Sequence, residues 1–588
     1  MLPLTLLCAT LAACGGGSSG SSASGSDSSG SDSTDELVTS SGTGALPSMS
    51  MHSNTFKGDH YSGSGQCTTC HTAIDASDAL IDEDGIDLSF RLEYEGSMMA
   101  NASRDPYWRA KVASELERHP DLAEEINDTC SRCHAPMAND AMQKENLAIE
   151  ILGEEGILSD SHAYFDHAME GISCTLCHQI EDDGNLGTID GTSGKFSVAL
   201  HPEQEGAYPP AYGPYTDPTD AYMIGQSDYQ PVYSEHISES TMCATCHDLR
   251  TPSVDGEGNV VSTSEEQYFP EQMVYSEWLH SAYGDGDDDD QSCQSCHMPK
   301  AKGAVELASS GGSGELREDF SRHTFLGGNT FMQGLLQKYS TELGIYDGSD
   351  GVTDESFERS IALNKAFLRT AAGVSIAGAE RDGDTLMVTV NVYNNTGHKL
   401  PSGYPSRRVF LHLVVTDNEG TVIFESGKVN DDGSIAGLDT DEDNTSYEPH
   451  YQIISSEDQV QSYEPIMGDS DGNVTHTLLR ATHYLKDNRL LPYGFDKTTA
   501  PDDIKVAGNA YNDGNFQGGS DTIVYKIPVD DAEGLNVLAE LKYQSLAYGH
   551  LQDLFDNVEV AEVDEFKTMF DATDGKVVSL SGDSVSVE

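Results

Sequence analysis

The sequence predicts two architectures in series: a mostly irregular, partly α-helical N-terminal domain, then a β-sandwich-like C-terminal domain. Three observations carry this. The pattern Cys-x-x-Cys-His occurs five times between residues 67 and 297. The same stretch is rich in Gly, Asp and Pro, with only short helical signals, so its side chains alone are poor material for a core. Beyond residue 375 the apolar period changes from helical to alternating, and the pattern does not recur.

The five copies are Cys67-Thr-Thr-Cys70-His71, Cys130-Ser-Arg-Cys133-His134, Cys174-Thr-Leu-Cys177-His178, Cys243-Ala-Thr-Cys246-His247 and Cys293-Gln-Ser-Cys296-His297. Each is the attachment signature of c-type haem. The two thiols form thioethers to the porphyrin, and the adjacent His is placed to ligate the iron. Ten of the twelve Cys lie in these motifs; the other two are Cys8 and Cys14. Zinc sites want Cys in fours, or Cys pairs with a distant His pair, and five identical units do not divide that way. A thioredoxin-like pair would be expected once. The cofactor expected is therefore five covalently attached haem c, with His71, His134, His178, His247 and His297 as proximal iron ligands. The N-terminal domain is then haem-packed, and the fold class is that of a multihaem cytochrome c. With so little chain per haem, the porphyrins must lie close together, as a multi-step electron path requires.

The chain opens with a short apolar run ending in Leu11-Ala12-Ala13-Cys14. It is too short to span a bilayer. The last four residues resemble a bacterial lipobox, in which Cys14 is lipidated; an ordinary export signal cut nearby is the alternative. The run lacks a positively charged n-region, which points to a start upstream. Gly15, rather than Asp, follows Cys14, which in lipoproteins resembles sorting to the outer membrane. Residues 1–13 thus read as a signal peptide, and residues 14–50, nearly all Gly, Ser, Asp and Thr, as a flexible linker.

Net charge is -67, from 32 basic and 99 acidic residues. Such a surface excludes nucleic acid as a partner and repels anionic lipid, so membrane association is left to the lipid anchor. Asp469-Ser-Asp471-Gly-Asn473 spaces its oxygens as a calcium loop does, but no Glu arrives at the twelfth position, so calcium is a weakly supported cofactor. Residues 51–335 form the pentahaem domain, where Asp105-Pro106 caps and starts a helix that ends near His119-Pro120. Residues 336–374 form a helical connector, with Asp354 as a cap and Phe357, Ile361, Leu363, Phe367 and Leu368 on its apolar positions. Residues 375–548 form the sandwich-like domain: Leu386, Val388, Val390 and Val392 alternate, and Asp417-Asn-Glu-Gly420 signals a hairpin. Residues 549–588 read as a loosely held acidic tail.

The residues resemble a family: the large bacterial multihaem c-type cytochromes whose haem region is related to the tetrahaem cytochrome that partners hydroxylamine oxidoreductase. The matching stretches include Gly96-Ser-Met98-Met99-Ala-Asn-Ala-Ser-Arg-Asp-Pro-Tyr-Trp108, Tyr233-Ser-Glu-His236, Cys293-Gln-Ser-Cys296-His297-Met-Pro299, His323-Thr-Phe-Leu-Gly-Gly-Asn329 and Thr396-Gly-His398-Lys-Leu-Pro-Ser-Gly-Tyr-Pro-Ser-Arg-Arg408. The resemblance covers most of the chain and implies haem binding and electron transfer. Relatives often carry Ser-x-His-Ala where this chain has Met98 and Met99.

Each motif names one axial ligand per iron, and the opposite one decides function. A second His gives a closed carrier, a Met raises the potential, and an empty position makes a site for small-molecule chemistry. His236, His323 and His398 are the leading distal candidates, followed by His280, His167, Met98 and Met99. Lys399, Arg407 and Arg408 stand out as scarce bases, with haem propionates as one set of partners and ordinary surface charge as the alternative. Two functions follow. One is a relay of single electrons between redox partner proteins or an outer acceptor. The other is an oxidoreductase whose one open haem acts on a small nitrogen or sulfur species. The first is favoured, because His is plentiful and no motif ends in the Cys-x-x-Cys-Lys of pentahaem nitrite reductases.

Overall fold

Prolines and capping residues cut the N-terminal half into short helices. The computed structural model describes residues 45–49, 54–199, 207–284, 291–311, 314–345, 352–530, 532 and 534–588, all within the unit Thr43–Glu588. Cys14, the export segment and most of the linker lie outside the described residues. Helix α1 spans Pro106–Arg118: the Asp105 carboxylate accepts from the Tyr107 and Trp108 amides at 2.9 and 3.4 Å, and the helix stops before Pro120. Helix α2, Ala123–His134, ends in the second motif. The first motif begins at the end of the short helix Gly65–Thr68, the fourth ends Ser240–His247, and the third and fifth start Cys174–Cys177 and Cys293–His297. Helical spacing puts residues i, i+3 and i+4 on one face, so both sulfurs and the His of a motif look the same way. Among the described residues no helix is long and apolar enough to cross a membrane.

Helix α3 covers Val352–Ala371. It begins earlier than expected, so Asp354 lies in its first turn, where it favours the helix dipole, rather than at the cap. Phe357 and Leu368 are buried on it.

The chain then passes directly into strands β1 (Ala372–Asp382) and β2 (Thr385–Asn394). Strands β3 (Arg408–Thr416), β4 (Val422–Ser426), β5 (Ser520–Pro528), β6 (Leu535–Gln544) and β7 (Val578–Val587) complete the two larger sheets. One sheet has the order β4-β3-β6-β7, all antiparallel. The other runs Ile453–Ile454, β5, β2, β1, antiparallel except at its first pair. Their inner faces share one core: Leu386, Val388, Val390 and Val392 of β2 meet Leu411, Leu413, Val415, Val537, Ala539 and Leu541. Each fully buried aliphatic contributes about 1.5–3 kcal/mol, and the strict alternation fixes the register.

The C-terminal residues correct the expectation of a loose tail. Residues 548–588 form helices α4 (Tyr548–Phe555) and α5 (Ala561–Asp571) and then β7. Leu551, Leu554, Val563, Phe566, Met569 and Phe570 share a core with Tyr107 and Ala110 of α1. Strand β7 covers the edge of β6. Net acidity concealed this, because it does not report the apolar inner face, and two of the acids, Asp553 and Glu565, pair with Arg118 and Arg109 of α1.

Candidate haem sites

Four of the five motif histidines share one geometry. A carbonyl can only accept, so a ring nitrogen bonded to it must carry the proton, leaving the other with a free lone pair. Nδ1 of His71 donates to the Leu307 carbonyl at 2.8 Å, that of His134 to Ala102 at 2.9 Å and that of His178 to Tyr212 at 2.6 Å; His297 does the same to Leu326. In all four, Nε2 is the nitrogen left to hold an iron, and the carbonyl fixes tautomer and ring direction as metal-bound imidazoles require. Burial pushes all five motif imidazoles down, His134 and His247 to about 4, so they are neutral.

Two further histidines stand opposite motif histidines. His323 faces His178 with ring centroids 6.4 Å apart and planes at 23°. His398 faces His297 at 6.3 Å and 17°. These separations are too long for stacked rings in contact. They are what two imidazoles show across one metal, since metal–nitrogen bonds of about 2 Å place the centroids about 6 Å apart. Among the described residues these are the two pairs so placed. Phe90 packs on His323 at 4.4 Å, and burial pushes this imidazole down to about 3. Nδ1 of His398 donates to the Lys399 carbonyl at 2.8 Å, leaving Nε2 free. The residues therefore fit haem c at the third and fifth motifs, with His178 and His323, and His297 and His398, as axial sets.

A buried ion network holds the His398 loop. Lys399 is fully buried, its Nζ 2.6 Å from Asp487 Oδ2. Arg489 bridges Asp487, at 2.8 Å, and Glu277, at 2.9 Å. Glu277 in turn accepts from the Lys399 amide at 3.2 Å and the Ser402 hydroxyl at 2.5 Å. Burial alone would raise the Asp487 carboxyl, but Arg489 and Lys399 hold it well below its usual range. The propionate reading of the scarce bases is thereby revised. Lys399 is spent on Asp487, and Arg408 forms a buried bidentate pair with Asp441 at 2.7 Å. Arg407 donates to the Ser402 carbonyl at 2.6 Å.

The remaining candidates are placed differently. His236 is buried, but both ring nitrogens are engaged, Nδ1 by the Ser234 hydroxyl at 2.6 Å and Nε2 by the Ile180 carbonyl at 2.9 Å. It ties the loop before the fourth motif to the segment after the third. The signal was local: Ser234, two residues earlier, is a ready side-chain partner. His280 is exposed, its Nδ1 on the Ser276 carbonyl at 2.8 Å. His167 is half-buried against Phe56 at 4.2 Å, and burial pushes it down to about 4. Met98 packs on the cluster of Tyr107 and the C-terminal helices, and Met99 is half-buried beside it in sequence.

The motifs adjoin one another. The thiol of Cys67 is within hydrogen-bonding reach of Cys174, Cys133 of Cys246, and Cys243 of Cys293. Cys177 also acts on Cys243. The fourth motif thus neighbours the second, third and fifth, and the first adjoins the third.

The proposed calcium loop is a turn. Asp469 Oδ1 accepts from the Asp471 and Asn473 amides, both at 2.9 Å, around Gly472 at φ +83°. The same Asp-x-x-Gly turn occurs at Asp82, Asp255 and Asp417, so the first carboxylate of the pattern serves backbone amides, and nothing in the turn supports calcium. Buried His450, Asp513 and Asp521 also gather their ligand atoms. There, however, Gln461 and Asn488 amides donate to His450 Nδ1 at 3.0 and 3.1 Å. The proton therefore sits on Nε2, facing Asp513 at 3.1 Å, where a metal would have to displace it.

No family model and no curated protein matches the chain. A solved structure described as a penta-heme cytochrome c552 from Thermochromatium tepidum aligns with 92% of this chain and 100% of its own, at 15% identity and a TM-score of 0.45. Likeness at that level leaves the reading to the residues themselves.

Proposed function

We propose that the chain is a multihaem c-type electron-transfer protein that carries single electrons across five covalently bound haems. The observation that supports this most is the placing of His323 and His398 opposite His178 and His297, at 6.4 and 6.3 Å, beside intact attachment motifs. When bound, haem c supplies reversible one-electron chemistry, and closed bis-His coordination suits transfer rather than substrate binding. The protein's own contribution is ligand tautomer, loop rigidity and a dry surround. The motif contacts suggest a branched route: first to third to fourth, with the second and fifth leaving from the fourth. The lipobox and Gly15 favour an exported, outer-membrane-anchored protein that exchanges electrons with redox partner proteins or an outer acceptor.

A potentiometric titration of purified holoprotein, followed optically and by electron paramagnetic resonance, tests this reading. Reversible uptake of five electrons is expected, with low-spin signals from the third and fifth motifs. A chain isolated from a haem-maturing host without covalent haem would overturn it.

A further inference from the structure

The sheet built from Ile453–Ile454, β5, β2 and β1 turns an uncharged face outward, in a chain whose net charge is -67. Alternation sends Val388, Val390, Val392, Ile523 and Tyr525 into the core, so the residues between them face out. The register lines these up in rows. Tyr393 of β2 stands between Gly373 and Ser520, and Asn391 stands between Ser375 and Thr522. Thr389 stands between Gly378 and Val524, and Ile453 lies beyond Val524. None of these residues carries a charge. The next row, Glu380, Met387 and Lys526, brings charge back.

Hydrogen bonds within the face hold it flat. Thr522 Oγ1 donates to Asn391 Oδ1 at 2.9 Å, and Asn391 Nδ2 donates to the Tyr393 hydroxyl at 3.2 Å. That hydroxyl also lies 3.4 Å from Ser375 Oγ. To reach them the Tyr393 ring leans across Gly373, where a Cβ would stand 3.6 Å from ring atom Cδ2. One side of the ring thus rests on the sheet, and at 38% exposure the other meets solvent. At Gly378 a Cβ would meet no atom of the described residues within 4 Å, so the face is open there. The Thr389 and Ser520 hydroxyls have no hydrogen-bond partner among the described residues, and both are half-buried. A second tyrosine flanks the Tyr393 row. Tyr493, 65% exposed, lies 3.5 Å from where a Cβ of Gly519 would stand, next to Ser520.

The chemistry of this face selects its ligand. No fixed charge is present to hold an ion. A flat, exposed aromatic ring takes the C–H face of a saturated ring by dispersion. Amide and hydroxyl groups beside it donate to and accept from ligand hydroxyls. Tyr, Ser and Asn together supply such contacts at low cost in conformational entropy. A sugar ring has both the C–H face and the hydroxyls. Size argues the same way. The uncharged rows measure about 13 Å along the strands and about 14 Å across them. That is about 180 Å², against about 800 Å² per partner in a stable protein interface. A second copy of this acidic chain would overrun the face onto Glu380 and Asp382 and be repelled. A narrow chain of sugar rings fits within it.

We propose that this face binds a neutral polysaccharide, with Tyr393 and Tyr493 as stacking platforms and Ser375, Thr389, Asn391 and Thr522 as hydrogen-bonding groups. The site is independent of the haem reading. The full chain is run in native gels containing hydroxyethyl cellulose, dextran, xylan or galactomannan, with carboxymethyl cellulose as the anionic comparison. The expected result is retardation by at least one neutral polymer, weakened about tenfold or more in Tyr393→Ala and in Tyr493→Ala. Both rings are at the surface, so circular dichroism and thermal midpoint should stay close to the parent's, which shows that the variants fold. Retardation by none of the neutral polymers, or by the anionic one alone, would overturn the proposal. So would retardation that a Tyr393→Ala/Tyr493→Ala double variant keeps in full. Dimerisation in sedimentation that Tyr393→Ala abolishes would also overturn it and give the face to a second copy.

Discussion

His297 and His398 face each other with ring centroids 6.3 Å apart, one from the fifth motif and the other from the loop joining β2 to β3. The sandwich therefore does more than cap the N-terminal domain: it delivers an imidazole to it. The carbonyl behind each ring, Leu326 for His297 and Lys399 for His398, turns both Nε2 atoms inward.

The loop that carries His398 should fail when its buried ions lose a partner. Asp487→Asn strands Lys399 and Arg489 without their shared carboxylate. Removing one member of such a buried set costs about 3–5 kcal/mol. Denaturant unfolding should show that loss, together with a weakened low-spin signal at the fifth motif. Replacing Lys399 and Asp487 together by Met and Leu should cost less than Asp487→Asn alone, because no charge is stranded between them.

His236 offers the opposite outcome. Both its nitrogens hold protein groups, so His236→Ala should leave every haem signal in place while lowering thermal stability by the loss of two buried hydrogen bonds, about 1–3 kcal/mol. A new high-spin haem in this variant would show that His236 is an axial ligand after all.

Glu170 sets a pH dependence. It lies fully buried between the first and third motifs, bonded to the Ser64 hydroxyl at 2.5 Å, and burial pushes it up to about 8. A carboxyl with a raised folded value binds its proton more tightly in the folded chain. Its stabilising effect is complete below the unfolded value, about 4.3, and is lost as pH rises towards 8. Denaturant midpoints should fall across that window in the parent chain and stay flatter in Glu170→Gln.

Removing β7 should expose the edge of β6 and half-open the sandwich. Truncation after Val577 is expected to give aggregated protein, because an unpaired edge strand pairs with other chains. Soluble yield and light scattering check this. At the other end, Cys14→Ser should release the protein from the membrane fraction; if it stays there, the lipid anchor is wrong.

Much of this was legible in the chain. The alternation of Leu386, Val388, Val390 and Val392 announced β2, and Asp105-Pro106 announced the start of α1. His323 and His398 were picked out by the loops around them, and the structure puts both opposite motif histidines. Two things were not legible. The C-terminal helices hide an apolar face under net acidity. The partners of Lys399 and Arg408 are Asp487 and Asp441, far along the sequence, so nothing local revealed them.

The most direct test compares paramagnetic resonance spectra of holoprotein with those of a His323→Ala/His398→Ala double variant carrying its full complement of haem. The account predicts that two low-spin haems disappear and two high-spin, carbon monoxide-binding haems replace them. An unchanged set of low-spin signals in the double variant would contradict it.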